Sequence, residues 1–189
     1  MGKVVVSQFM TVDGVVEDPG GSEKMERGGW AFEFNRGDDG DKFKLDEVMA
    51  ADALLLGRVT YEGFAAAWPE RSGGFADKFN NMPKYVVSAT LSDPEWNNSH
   101  VLGDDLTAEV KRLKREIDGD ILVNGSVQLV TALADAGLVD EYRLMVFPVV
   151  LGQGKRLFGD EVAKAPLALS QSKPVGDEGV VVLVYTPKE

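Results

Sequence analysis

Apolar residues along the chain form two alternating patterns. Short continuous runs at positions 3–9, 53–57, 84–87 and 121–123 have the length of buried strands, and a weaker run lies at 99–102. Between them, apolar residues recur at spacings of three and four, which predicts helices with one inward face. The four inward faces are Leu45, Val48 and Met49; Tyr61, Phe64, Ala65 and Trp68; Leu106, Val110, Leu113 and Ile117; and Leu129, Val130 and Leu133. The alternation of strand and helix predicts parallel strand pairing.

The last third of the chain has a different pattern. Two long apolar strands are predicted at 142–151 and 179–186, with a weaker one near 167–169 and no helical pattern between them. Strands joined without a helix pair antiparallel, so these three are expected together at one side of the sheet. The sequence therefore predicts a single α/β domain over residues 1–189, with three α/β/α layers around a mixed, mostly parallel sheet.

Residues 17–42 interrupt this regular pattern. The segment is rich in acidic residues, contains six glycines and includes the aromatic residues Trp30, Phe32 and Phe34. Loops longer than about 12 to 15 residues in a compact domain are usually functional or disordered. Two interpretations follow: a mobile surface excursion, or a flap over an active site.

Composition excludes several classes of function. The chain has no cysteine and one histidine, which excludes disulfides, thiolate nucleophiles and cysteine- or histidine-rich metal sites, so no metal is predicted. Its 20 basic and 31 acidic residues give a net charge of −11, which repels nucleic acid and anionic membranes. The apolar run after Met1 is too short for a signal peptide, and no run approaches the roughly 18 residues of a membrane span. We expect a cytoplasmic protein that acts on a small molecule.

The predicted strand at 53–57 ends at a junction suited to an anion. Gly57 lets a ligand approach the backbone closely, and the helix that follows presents free N–H groups and the positive end of its dipole. Arg58 adds a planar cation that suits phosphate, and Thr60 is predicted to cap the helix. The alternative is that Gly57 is only a turn, Thr60 only a cap and Arg58 only a solvated cation.

The strand at 121–123 ends at a second junction of the same kind. Ligands of open α/β sheets lie beyond the carboxyl ends of strands, so two such junctions can hold the two ends of one dinucleotide. The residues of this second junction are Asn124, Gly125, Ser126 and Val127.

A third glycine-rich segment is less informative. Residues 152–157 look like a dinucleotide fingerprint, but Leu157 stands where the third glycine is required, and no clear helix follows. We expect either a tight surface loop or a loop at a dimer seam or substrate mouth.

Two carboxylates are candidates for catalysis. Asp41 lies four residues before Leu45 and eight before Met49, which places it on the predicted inward face, where a shielded carboxyl has a raised pKa and can donate a proton. Its alternative role is an N-terminal cap or a partner of the helix dipole. Asp13 follows the first strand, where stabilising the turn is its simplest role.

Five segments, in this order and spacing, resemble a known family. They read TVDG at 11–14, ADALLLGRVTYE at 51–62, LVNGS at 122–126, GLVDE at 137–141 and FPVVLGQGKRLF at 147–158. Through nearly its whole length, the chain is similar to the reductase domain of riboflavin biosynthesis and to its relatives in the dihydrofolate-reductase-like superfamily. The resemblance implies a dihydrofolate-reductase-like fold, NADPH as hydride donor and a homodimer.

The resemblance also implies roles in cofactor binding. It places Gly57, Arg58 and Thr60 near the phosphates on the adenosine side of NADPH. It places Ser88 and Thr90 near the adenosine itself. The residues it assigns to the pyrophosphate are Asn124, Gly125, Ser126 and Val127.

For the substrate, the resemblance implies a floor formed by Gln8 and Phe9 beneath the nicotinamide. Trp30 is a further candidate contact if its segment closes over the site. The acid that contacts the pterin in classical dihydrofolate reductases corresponds to Asp41 or a neighbour. The bifunctional riboflavin enzymes carry a zinc deaminase with a cysteine signature, and a chain without cysteine lacks that activity.

Three hypotheses follow for function. The first is an NADPH-dependent oxidoreductase that reduces a small heterocyclic, pyrimidine- or pterin-like substrate by hydride transfer, related to 5-amino-6-(5-phosphoribosylamino)uracil reductase. The second is a non-catalytic NADPH-binding or sensing module on the same fold. The third is an interaction protein that binds no nucleotide.

Overall fold

The computed structural model describes residues 1–159 and 162–188. The strands are β1 (Lys3–Thr11), β2 (Ala51–Gly57), β3 (Lys84–Val87), β4 (Ser99–Val101), β5 (Asp120–Asn124), β6 (Glu141–Phe147), β7 (Leu167–Val175) and β8 (Val180–Pro187). The helices are α1 (Gly37–Ala50), α2 (Arg58–Ala67), α3 (Gly74–Asn81), α4 (Leu106–Glu116) and α5 (Val127–Asp135), and a 3₁₀ turn spans Trp30–Glu33. None of the helices in these ranges is long and apolar enough to cross a membrane.

These strands form one sheet in the order β4-β3-β2-β5-β1-β6-β8-β7. Pairing is parallel from β4 through to β6, whereas β8 is antiparallel to both β6 and β7. This confirms the predicted mixed, mostly parallel sheet with its antiparallel strands at one side. Because parallel strands end at the same edge, the carboxyl ends of β1, β5, β2 and β3 lie side by side.

Helices cover both faces of the sheet, which confirms the three predicted layers. On one face, α4 and α5 bury Val110 and Leu133 against the strands. On the other face, α1, α2 and α3 bury Val48, Tyr61 and Phe79. Each large apolar side chain removed from water in this way contributes about 1.5–3 kcal/mol, so both layers are held to the sheet by ordinary apolar burial.

Helix α1 faces the sheet differently from its apolar pattern. Val48 is buried, but Leu45 and Met49 are 40% and 52% exposed, so the predicted inward stripe is wrong. The inward position next to Val48 is taken by Glu47, which is only 4% exposed. Apolar periodicity cannot identify a face whose central residue is a carboxylate with buried partners.

The predicted loop over 17–42 is wrong at its end, since α1 already begins at Gly37. Just before α1, Trp30 and Ala31 pack against the sheet. Trp30 is 1% exposed and meets Phe147 edge-to-face, with ring centroids 5.5 Å apart. The buried carboxylate of Asp18 accepts hydrogen bonds from the backbone N–H groups of residues 23 and 25. Asp18 and Trp30 thus anchor the segment, whereas residues 20–24, 26 and 27 between them are exposed.

Helix α3 and the limits of two strands differ from the sequence pattern. The pattern did not predict α3, whose eight residues are too few to form a stable helix without tertiary packing. Strand β6 ends at Phe147 rather than at residue 151. Strand β7 is longer than predicted, extending from 167 to 175.

The two outer strands of the sheet are irregular or short. In β7, the register shifts between Leu169 and Gln171, and the exposed stretch that follows contains Lys173 and Pro174. Strand β4, at the opposite edge, has only three residues.

Candidate active site

The junctions after β2 and β5 interlock at the carboxyl edge of the sheet. The backbone N–H of Gly57 donates to Ser126 Oγ at 2.9 Å. The backbone N–H of Ser126 donates to Thr60 Oγ1 at 3.1 Å, and the two hydroxyl oxygens lie 2.9 Å apart. The fold therefore brings the two predicted anion-binding junctions into direct contact.

Two glycines allow this close approach. A Cβ on Gly125 would lie 2.8 Å from Thr60 Oγ1, and the φ of +58° at Gly125 is a left-handed conformation that favours glycine. A Cβ on Gly57 would lie 3.2 Å from Ser126 Oγ. Ser126 is itself left-handed, with φ 54° and ψ 51°, which costs a residue with a side chain about 1 kcal/mol or more. Such strain is found mainly at ligand-binding and catalytic sites.

The end of β1 is tied to the second junction. Gln8 Nε2 donates to the carbonyl of Gly125 at 2.7 Å, and the N–H of Gly125 donates back to Gln8 Oε1 at 3.2 Å. Asn124 Nδ2 donates to the carbonyl of Ser7 at 3.1 Å. The Gln8 amide, predicted as part of the substrate floor, thus holds the backbone of the second junction in place.

Helices α2 and α5 both begin at this edge without a side-chain cap among the described residues. The prediction that Thr60 caps α2 is wrong, because the helix begins at Arg58 and the Thr60 hydroxyl bonds across to Ser126. Helices α1 and α3 also begin without a side-chain cap among the described residues, whereas Asp105 caps α4 by accepting from the N–H of Ala108. Uncapped first-turn N–H groups at a positive helix end are the usual partners of a phosphate.

Ser88 and Thr90 follow β3, one strand beyond the first junction. Ser88 Oγ accepts from the N–H groups of Thr90 and Leu91, at 3.2 and 2.9 Å. The Ser88 hydroxyl therefore shapes its own turn, while Thr90 is exposed at the same edge of the sheet.

Phe9, near the end of β1, lies between two cations. Its ring packs edge-to-face on Phe147, with centroids 5.3 Å apart. The guanidinium carbon of Arg36 lies 5.2 Å from the centre of the Phe9 ring, and Lys44 Nζ lies 5.3 Å from it. An aromatic surface flanked by two cations suits a flat, electron-rich or anionic group.

A buried polar cluster adjoins Phe9, and sequence reasoning missed it. Ser7 Oγ donates to Glu47 Oε1 at 2.7 Å, and Lys44 Nζ lies 2.6 Å from Ser7 Oγ and 2.5 Å from Glu47 Oε1. Ser7 and Glu47 are 2% and 4% exposed. The one available signal was the polar Ser7-Gln8 pair inside an apolar strand, since the partners lie 37 and 40 residues away.

Arg143 of β6 borders this cluster. Its Nη1 lies 3.8 Å from Glu47 Oε2, an oxygen without a hydrogen-bond partner among the described residues. Burial lowers the pKa of Arg143, but hydrogen bonds to Glu141 and Asp120 outweigh this and raise it. A buried charge whose hydrogen bonding is incomplete is costly to keep, and an unsatisfied buried polar group is often explained by a catalytic role.

The sequence matches a known protein family over nearly its whole length. The sequence model of the RibD C-terminal domain matches residues 2–181. The chain belongs to the RibD C-terminal domain family. Membership confirms the family resemblance that the five segments between residues 11 and 158 indicated.

Relatives of this RibD C-terminal family member cover nearly the whole chain. YyaP of Bacillus subtilis (strain 168), an uncharacterized protein, is 29% identical over 188 residues, covering 97% of this chain and 94% of YyaP. A putative riboflavin biosynthesis protein from Shewanella sp. PV-4 has a TM-score of 0.77 at 19% identity, with 99% of both chains covered. Dihydrofolate reductase from Enterococcus faecalis, complexed with NADP(H), has a TM-score of 0.61 at 13% identity, covering 99% of this chain and 97% of that one. These structures confirm the dihydrofolate-reductase-like fold.

Within this family fold, Asp41 does not occupy the predicted inward position. Its side chain is 66% exposed and accepts from Arg36 Nε at 2.6 Å. The prediction failed because it was counted from Leu45 and Met49, which themselves face outward. The buried carboxylate of α1 is Glu47, six residues further along.

Asp13 organises the loop that follows β6. It accepts from the Thr11 hydroxyl at 2.6 Å and from the N–H groups of Leu151 and Gly152 at 3.2 and 2.8 Å. These bonds, the one from Thr11 foremost, lower the pKa of the Asp13 carboxyl. A carboxylate held ionised in this way suits turn stabilisation rather than proton donation.

Trp30 is buried rather than presented to a ligand. Its Nε1 donates to the carbonyl of Glu17 at 3.0 Å, and Glu17 Oε2 accepts from the N–H of Lys155 at 2.9 Å. The segment before α1 and the glycine-rich 152–157 loop are thereby linked to each other.

Proposed function

We propose that this chain is an NADPH-dependent reductase that transfers hydride to a small pyrimidine- or pterin-like heterocycle, in the manner of 5-amino-6-(5-phosphoribosylamino)uracil reductase. The observation that carries the proposal is the pair of interlocked, uncapped helix N-termini of α2 and α5 at the carboxyl edge of the sheet. A dinucleotide carries two linked phosphates in addition to its nucleosides, and this edge offers adjoining backbone donors to hold them.

The residues fit the cofactor in their donor chemistry. In the proposal, the first-turn N–H groups from Val127 onward hold the pyrophosphate, and Arg58 binds a phosphate on the adenosine side. The bond from Ser126 to Thr60 keeps the two helix ends together. The bond from Gly125 to Gln8 ties the second junction to β1. NADPH, when bound, supplies the hydride, while the protein supplies binding, orientation and exclusion of water.

The substrate is proposed to lie on Phe9. A flat heterocycle there would be flanked by Arg36 and Lys44, which suits a ring bearing carbonyl oxygens or an attached anionic group. Since Asp41 is exposed, the cluster of Ser7, Lys44 and Glu47 takes its place in the proposal as the group that orients the substrate and handles its proton.

The test is calorimetric titration of the purified protein with NADPH. Arg58→Ala is expected to weaken NADPH binding about 10- to 100-fold, because a hydrogen bond to a charged group contributes roughly 1.5–3 kcal/mol. Arg112→Ala is the matched control, since Arg112 forms the same kind of helical ion pair on α4, against the other face of the sheet. Unchanged affinity in Arg58→Ala would remove its phosphate role, and no NADPH binding by the wild type would overturn the proposal.

A second candidate is a non-catalytic NADPH-binding or sensing module. The observation in its favour is that neither predicted acid is suited to donate a proton: Asp41 is 66% exposed and the pKa of Asp13 is lowered. Stoichiometric binding of NADPH, without oxidation in the presence of pterins, flavin precursors or quinones, would favour this candidate over the reductase.

We further propose a homodimer, as the family resemblance implies. Exposed apolar side chains lie near the 152–157 loop, with Val12 62%, Val150 68% and Phe158 41% exposed. The backbone N–H of Val12 donates to the carbonyl of Val149, which brings Val12 and Val150 close together. Sedimentation that shows only monomer at micromolar concentration would overturn the proposal.

A further inference from the structure

The cation assigned to the adenosine-side phosphate is already engaged. Arg58 Nη1 lies 3.0 Å from both carboxylate oxygens of Glu62, one turn further along α2. Both side chains are about half exposed, at 44% and 51%. The guanidinium is therefore oriented along its own helix, and a phosphate must share it with Glu62 or displace that carboxylate.

Glu62 also faces an acidic groove at the same end of the molecule. The groove, of about 350 Å³, lies between α2 and the segment after β3, and Leu91 in its wall donates its N–H to Ser88. This places the groove next to the residues proposed to lie near the adenosine. Its lining residues are Tyr61, Glu62, Ala65, Ala66, Leu91, Asp93 and Glu95, three of them carboxylates and none of them basic.

This charge pattern bears on the one chemical difference between the two nicotinamide dinucleotides. NADPH carries a phosphate on the 2′ position of the adenosine ribose, where NADH has a hydroxyl. In dinucleotide-binding folds, an acidic side chain beside that position accepts from the hydroxyl, whereas an arginine accommodates the phosphate. Here one turn of α2 presents both an arginine and a carboxylate. Arg58 favours binding of NADPH, and Glu62 opposes it.

We propose that Glu62 is a specificity-determining residue that reduces the preference of this protein for NADPH over NADH by holding Arg58. The inference rests on the proposed function, because it assigns the adenosine end of the dinucleotide to Arg58. Glu62 acts in two ways: it competes for the guanidinium, and its charge repels a 2′-phosphate bound there.

The expected size of the effect follows from both contributions. Releasing Arg58 from an exposed helical ion pair at this spacing should raise the affinity for NADPH roughly twofold. Repulsion between a carboxylate and a phosphate dianion about 6 Å apart in water, partly screened by salt, contributes about a factor of three. Removing the charge of Glu62 should therefore raise the ratio of NADPH to NADH affinity about fivefold, and less at high salt.

The experiment is calorimetric titration with NADPH and with NADH of the wild type, Glu62→Gln, Arg58→Ala and the double variant. Glu116→Gln is the matched control, because it removes an equally exposed partner of a helical arginine from α4 and changes the net charge by the same amount. Glu62→Gln is expected to raise the NADPH to NADH affinity ratio about fivefold in the wild-type background. In the Arg58→Ala background only the repulsion between Glu62 and the phosphate remains, so the same substitution should raise the ratio about threefold.

The outcomes separate this inference from the proposed function. A wild type that binds neither dinucleotide overturns both. Binding by the wild type, with a ratio unchanged in Glu62→Gln, overturns the role of Glu62 and leaves the proposed function standing. An equal rise in Glu116→Gln, or a full rise without Arg58, would show a general effect of charge and also overturn it. A rise of about fivefold in Glu62→Gln that is clearly smaller without Arg58, with no rise in Glu116→Gln, supports the inference.

Discussion

Lys84 is the group whose removal should affect folding stability most clearly. It lies in β3 with no exposed surface. Its Nζ donates to the backbone carbonyls of Asn80, Met82 and Asn97 at 2.6, 2.9 and 2.8 Å. The ammonium also lies 4.3 Å from the centre of the Trp96 ring. One side chain thus joins the end of α3, the start of β3 and the segment before β4.

Lys84→Met keeps the apolar stem and removes the donor. The carbonyls of Met82 and Asn97 then lose their donor, whereas that of Asn80 still accepts from Asn97 Nδ2 at 3.4 Å. At roughly 1 kcal/mol for each buried unsatisfied group, the free energy of unfolding should fall by about 2 kcal/mol at pH 7. The assay is urea unfolding followed by far-UV circular dichroism, since fluorescence would report the altered surroundings of Trp96. Lys111→Met, at an exposed position of α4, is the control and should change stability by less than about 0.5 kcal/mol.

The pH dependence of the stability difference between wild type and Lys84→Met tests whether burial destabilises the charged form of Lys84. Burial lowers the pKa of Lys84 to about 8, from 10.5. Between these values the unfolded chain binds more protons than the folded one, so the contribution of Lys84 to stability rises with pH. The difference between wild type and Lys84→Met should widen by about 2 kcal/mol from pH 7 to 9.5. A difference that stays constant or narrows would show that the carbonyls and Trp96 keep the ammonium charged, refuting the argument from desolvation.

Three further substitutions test the second junction, helix α2 and the loop after β1. Gly125→Ala should abolish measurable NADPH binding and destabilise the fold by about 1–2 kcal/mol, because of its left-handed φ and the contact with Thr60. Gly63→Ala, where a Cβ meets nothing within 4 Å, should instead stabilise α2 by about 0.5–1 kcal/mol, and thermal melts of both glycine variants measure the two changes. Asp13→Asn should cost about 1–2 kcal/mol at pH 7. Because the folded-state pKa of Asp13 is lowered, the stability it contributes is present above its unfolded pKa and lost as pH falls, so wild type and Asp13→Asn should converge in urea melts below about pH 4.

Local sequence was sufficient to predict strands that are buried on both faces and helices that bury one apolar face. Strands such as β5 are continuous apolar runs because both faces are buried, and helix α4 follows the spacing of Val110 and Leu113. The junctions at Gly57 and Gly125 were recognisable because a glycine between an apolar strand and a helix is itself a local pattern. Their mutual contact was not, since the bond from Gly57 to Ser126 joins residues 69 positions apart.

The candidate substrate site could not be found in the same way. Lys44 lies one turn before Glu47 on α1, but Glu47 looks like a solvated helix residue until the packing of α1 on β1 places Ser7 beside it. Asp41 was the more attractive carboxylate only because Met49 was taken as buried. Polar groups that satisfy one another across long sequence separations leave no periodic signal, whereas apolar burial does.

The two edges of the sheet constrain how copies of this chain can associate. An outer strand with a regular, unpaired backbone ladder would invite strand addition from another molecule, and aggregation with it. In β7 the shifted register at Leu169, the charge of Lys173 and the absent N–H of Pro174 break that ladder. The opposite strand, β4, is too short to offer one. Growth of the sheet is therefore disfavoured at both ends, so copies of this chain that associate are expected to meet through side chains and loops rather than through a shared sheet.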